Sequence, residues 1–139
     1  PVIVAYYRDE AHLKWILKKE NGYNLRTGIE RGSVKLDKYV TGARYLILHG
    51  NGTSLTNKLY LLNTREGPRI ISKQDLVNLQ YPSVPSVEFY LLYKVDQPEK
   101  EFHDKTWDIS KLPEYQTGHT SAYPFTTTLE NLMRCVVRK

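Results

Sequence analysis

The sequence is short of most residues that announce a particular chemistry. One Cys in 139 residues excludes an internal disulfide framework, so a reducing compartment is the expectation. The four His (His12, His49, His103, His119) are scattered, and with a single Cys they complete no structural zinc set. Apolar runs stop after a few residues, as in "YLIL" and "FYLLY", too short to span a bilayer. No charged-then-apolar leader precedes Pro1, and the expectation is a cytoplasmic protein with no membrane partner. "HGNGTS" lacks the spacing and the Lys of a phosphate-cradling loop, and no Gly-x-Ser-x-Gly turn offers an exposed nucleophile. Asp96, Glu99, Lys100 and Glu101 are the nearest approach to a magnesium-dependent nuclease set. They follow a strand in a charged loop rather than ending it as acid-x-Lys, and read as a solvated turn. No cofactor, metal or catalytic residue is implied.

What the chain does have is tyrosine: eleven, against three Phe and two Trp. A tyrosine joins an apolar ring to a hydrogen-bonding tip, which suits half-buried strand positions, interfaces and the faces of nucleobases alike. The formal charge of +5 is a modest excess that favours a polyanionic partner without demanding one.

One domain over residues 1–139 fits the length and the absence of any boundary or repeat. "VIVAYY" (Val2 to Tyr7) suits a central strand. Asp9 then caps a helix expected to run to Glu20 and end at Gly22, with Leu13, Ile16 and Leu17 as its apolar stripe. Trp15 falls nearly opposite that stripe, among Lys14, Lys18 and Lys19. Either the helix is covered on both faces or an indole lies on a basic surface; burial is the expectation. "YNLRTG", Ser33 to Leu36, "ARYLILHG", "KLYLLNT", "RIIS" and "VEFYLLYKV" read as strands, with "NGTSLTN" a long hairpin loop. Ser72 and Asp75 have capping-box spacing ahead of a short helix to Leu79. Thr127 and Glu130 repeat that spacing before a last helix carrying Leu129, Leu132, Met133, Val136 and Val137, flanked by Cys135 as a packing residue. Short strands joined by turns predict an α+β fold: a strongly curved, mostly antiparallel sheet or small open β-barrel with two or three flanking helices.

The most informative stretch is "TWDISKLPEYQTGHTSAYPFTTTL" (Thr106 to Leu129). "WDISKLP" predicts a tight turn in which Asp108 accepts amide hydrogen bonds. The residues after that turn read as neither helix nor strand, and long irregular segments in compact domains tend to bind something or to cover a core. As a binding loop the stretch offers Trp107, Tyr115, His119 and Tyr123 to hold a base, with stacking worth about 1–3 kcal/mol per base. As a core cover it lays Trp107, Tyr123 and Phe125 over the barrel. Arg8, Arg26, Arg31, Lys35 and Arg44 fall near strand ends or turns; gathered on one side, they make a phosphate-binding rim.

The opening "VIVAYYRDEAHLKWIL", the strand "ARYLILHG" and the later aromatic strand "EFYLLYKV" together resemble, in outline, the small barrels of the PUA-like group, including EVE-type modules. That resemblance implies RNA binding, or flipping of a modified base from DNA into an aromatic pocket. It further implies work as the recognition part of a restriction or defence system, beside a nuclease or NTPase subunit or domain. The expectation is therefore a non-catalytic nucleic-acid recognition module, with DNA ahead of RNA. A rival from another class is a protein–protein adaptor anchored by an exposed Trp15 and the Tyr-rich loop. A third is an enzyme: "PVIVAYY" resembles the opening of tautomerases, whose terminal secondary amine is a general base. That likeness covers about ten residues, and trimming of an initiator Met explains Pro1 equally well.

Overall fold

The computed structural model describes residues 2–18, 22–26, 43–50, 53–62, 69–82, 84, 89–115 and 125–137. Pro1, Arg31, Lys35, His119, Tyr123 and the strand expected at Ser33 to Leu36 lie outside these residues. Among the described residues the fold is α+β, built on a mixed five-stranded sheet with three helices. Its strands are β1 (Val2–Tyr6), β3 (Tyr45–His49), β5 (Lys58–Leu62), β8 (Val95–Asp96) and β10 (Phe125–Thr127), in the order β10-β1-β3-β5-β8. A second sheet takes β2 (Tyr23–Arg26), β6 (Arg69–Ser72) and β7 (Phe89–Tyr93) in the order β2-β7-β6. β4 (Leu55–Thr56) pairs with β9 (Trp107–Asp108), so the supposed hairpin loop after β3 carries a strand of its own. No closed barrel forms among these strands.

Antiparallel pairing dominates as expected, with one exception: β1 and β3 run parallel, Val2 beside Tyr45 and Tyr6 beside His49. The helix α1 (Glu10–Leu17) supplies part of the crossover that parallel neighbours need. Successive residues of the central strands enter different cores, because successive side chains leave a strand on opposite faces. Ile3, Ala5, Leu46, Leu48, Tyr60 and Leu62 enter a first core with α1, the second sheet and α2 (Lys73–Asn78). Val2, Val4, Ile47 and Leu59 enter a second core with Phe102, Trp107, Ile109, Leu112 and Leu132. Both faces of the sheet are therefore covered, which is why "VIVA" and "YLIL" read as unbroken apolar runs.

Three helical readings are corrected. α1 stops at Leu17 because Lys18 adopts an extended backbone, and Leu17 is 42% exposed instead of part of the buried stripe. Gly22 is not a helix terminator; a Cβ there would stand 2.0 Å from the carbonyl oxygen of Tyr93, so β2 reaches its partner only with glycine at that point. The last helix, α3 (Leu129–Met133), is capped by Thr128, not Thr127, and ends too early to carry the full stripe. Beyond it the chain lies along β9: Asp108 N–H donates to Cys135 O at 2.9 Å and Val137 N–H to Thr106 O at 2.8 Å. Cys135 is buried in the second core, as a packing residue should be. The Ser72–Asp75 capping box at α2 forms as expected, and so does the Asp108 turn. No helix of the described residues is long and apolar enough to cross a membrane.

Candidate functional site

The residues expected to hold a base do not assemble. Trp107 is 0% exposed in the second core, so its ring offers no face to a ligand. Its place is fixed by β9, which pairs Trp107 with Thr56 on one side and bridges it to Val136 on the other. Tyr115 is half-buried against the same core. The core-cover alternative describes Trp107; His119 and Tyr123 fall outside the described residues.

The expected cationic rim also divides. Arg44 stands before β3 and Arg8 beyond the end of β1, and because those strands run parallel the two arginines occupy opposite ends of the sheet. Five residues of strand separate Arg44 from His49, a rise of about 16 Å. Arg26 ends β2 in the other sheet. One phosphate rim cannot include Arg8 and Arg44 together.

A different cluster forms where β1 and β3 end and β5 begins. Tyr7 N–H donates to His49 O at 3.0 Å, extending the β1–β3 register one residue past the strand. The rings of Tyr6 and His49 lie 6.3 Å apart, and Lys58 Nζ stands 5.7 Å from the centroid of the Tyr7 ring. That cation–ring contact contributes about 0.5–1 kcal/mol when exposed. Gly50 belongs to this arrangement: a Cβ there would lie 3.5 Å from the Tyr7 hydroxyl and 3.2 Å from Thr53 Cγ2. Burial first, then the neighbouring Tyr7, raises the Tyr60 hydroxyl above the ordinary phenol range.

Two histidines hold this end in shape, and both are kept neutral. His12 accepts the Arg8 backbone N–H at Nδ1, 3.0 Å away, so its proton sits on Nε2. Burial first, then the Arg8 charge, lowers its pKa to about 4, with Asp9 opposing. His49 Nδ1 lies 3.1 Å from the carbonyl of Gly50 and donates to it. Burial lowers its pKa too, against the carbonyls of Gly50 and Thr53. Trp15, 3% exposed, is buried after all: its Nε1–H donates to Leu79 O at 2.9 Å, and Tyr81 packs edge-on at 4.8 Å. The adaptor reading loses its anchor there.

Beside the start of β5, where β8 does not pair with it, is a depression of about 340 Å³. Asn57 and Gln97 supply carboxamides, Lys58 an ammonium and His103 an imidazole whose Nε2 already donates to Pro98 O at 2.7 Å; Tyr60 and Phe102 also border it, their rings packed in the first and second cores, and no carboxylate lines it. Lys58, whose ammonium stands over the Tyr7 ring, is the residue shared by the ring cluster and the depression. Acidic neighbours exist: Asp96, Glu101 and Asp104 are exposed on the same loop, and Glu99 accepts from the Tyr45 hydroxyl at 3.2 Å. Such a set can hold a flat, polar, weakly anionic group. Sequence reasoning misses it because Tyr7, Lys58 and Phe102 lie far apart in the chain; the one signal is the tyrosine excess.

No protein-family model, curated protein or solved structure matches the chain.

Proposed function

We propose that the chain is a nucleic-acid recognition module that holds one unstacked base at the β5 edge. The observation carrying this reading is the depression itself, where two carboxamides, a lysine and a histidine meet without a carboxylate. Carboxamides pair with the edge of a base, and Lys58, with Arg8 at the same end of the sheet, takes the phosphates. A volume of about 340 Å³ lies at the small end of ligand sites, fitting one nucleotide rather than a duplex. The target is therefore a single strand, or a base flipped from DNA at a cost of a few kcal/mol, less where the base is modified or mispaired. The net charge of +5 agrees in sign. The PUA-like likeness stays part of this proposal, and so does a separate nuclease or NTPase that would act on what is recognised.

The test is a binding screen of single-stranded, duplex and mismatched probes, plain and base-modified. Single-stranded or mismatched probes should bind best, and Asn57→Ala/Gln97→Ala should weaken them. Equal binding of intact duplex and single strand, untouched by Asn57→Ala/Gln97→Ala, overturns the reading.

A further inference from the structure

A buried histidine holds the turn that carries Arg8. The three residues leaving β1 are each pinned. Tyr7 N–H donates to His49 O at 3.0 Å, Arg8 N–H to His12 Nδ1 at 3.0 Å, and the Asp9 carboxylate accepts from His12 N–H at 2.9 Å. Asp9 O also accepts from Leu13 N–H at 3.0 Å. The same Asp9 carboxylate stands 3.7 Å from Arg8 Nε, so the turn guides the Arg8 side chain as well as its backbone. That side chain is 38% exposed and reaches solvent.

Only a neutral ring fits this place. His12 is 7% exposed, with the Tyr81 ring nearly perpendicular to it at 5.8 Å. A second proton would turn Nδ1 from acceptor into donor, facing the Arg8 N–H. Nε2 has no partner among the described residues, so an imidazolium here would find no acceptor on either side. Of the charged groups acting on the ring, Arg8 opposes the proton and Asp9 favours it; Tyr81 packs on it from beyond α2.

We infer that His12 is the positioning residue for Arg8: neutral, it holds the turn so that Arg8 meets a phosphate, and protonated, it lets the turn go. The inference rests on the reading of the previous subsection and adds what sets one of its cations in place and what releases it.

Amide exchange tests the release in the protein alone. With a pKa of about 4 in the closed turn and the ordinary 6.5 in the open one, the open turn should be about twentyfold more populated at pH 5 than at pH 7. The Arg8 amide should lose protection by that factor while exchanging ahead of the amides within β1. In His12→Asn, whose Oδ1 takes the place of Nδ1 and does not titrate, its protection should stay constant. Arg8 protection that ignores pH in the wild type, or is lost only together with β1, overturns the inference and leaves the nucleic-acid reading standing.

Salt slopes test the positioning. With a single-stranded DNA of mixed sequence at pH 7, Arg8→Ala should make the slope of log K against log salt shallower by about 0.7, one phosphate contact. His12→Ala should lose most of the same contact, and adding Arg8→Ala to it should change little further. His12→Asn should keep the wild-type slope. A full Arg8→Ala effect in the His12→Ala protein overturns the inference. A wild type that binds no single strand overturns the reading of the previous subsection, while the exchange still decides whether His12 holds the turn.

Discussion

The Nδ1 of His12 accepts the backbone N–H of Arg8 across 3.0 Å, which fixes the turn leaving β1 and leaves the other ring nitrogen, Nε2, buried without a partner. A second proton on this ring would face the Arg8 N–H, donor against donor.

That relationship sets a pH window for stability. The His12 pKa falls from 6.5 to about 4 on folding, so the unfolded chain binds more protons between those values. Stability from His12 is complete above pH 6.5 and is lost as pH falls toward 4. Between pH 7 and pH 5 the loss should be about 2 kcal/mol. Urea unfolding at both pH values should show it, with a smaller difference in His12→Gln. His49, shifted the same way, contributes equally to both proteins. An identical pH dependence in the two proteins would contradict the geometry.

Trp15 locks α1 to the end of α2 through its hydrogen bond to Leu79 O. Trp15→Phe keeps most of the apolar volume and removes the donor, so the loss should be about 1–3 kcal/mol in chemical denaturation. Nucleic-acid affinity should stay unchanged. An unaltered midpoint would show that the indole is not buried as described.

Trp107 makes the opposite case. Its indole nitrogen is buried with no acceptor in reach. Trp107→Phe deletes an unsatisfied donor while opening a small cavity, and the two effects largely offset. The expected net loss is about 1–2 kcal/mol, below the 3–5 kcal/mol typical of truncation to Ala. Binding of single-stranded probes should not change. A selective loss of binding would return Trp107 to the site.

Local grammar explains what can be read from the chain alone. β1, β3, β5, β6 and β7 announce themselves as short apolar runs, and the capping box at Ser72 places α2 within a residue. Cys135 is buried as its place beside the apolar stripe suggests, and Trp15 is buried as expected, despite its lysine neighbours. The failures are non-local. Nothing in "VIVAYY" or "ARYLILHG" states that these strands run parallel, yet that single fact sends Arg8 and Arg44 to opposite ends. Trp107 reads as a stacking ring because its sequence neighbours are polar; β4 and Val136 close over it from remote parts of the chain. The candidate site depends on Asn57 and Lys58 meeting Gln97 and His103, a juxtaposition no composition reveals.

The most direct test of the account is the salt dependence of single-strand binding for the wild type and for Arg8→Ala/Lys58→Ala. Plotted as log K against log salt, the wild-type slope should be steep and negative. The double variant should be shallower by about 1.4, the release of roughly two counterions from a single strand. A wild-type affinity indifferent to salt, or a double variant with the wild-type slope, would contradict the claim that this end of the sheet grips a nucleic-acid strand.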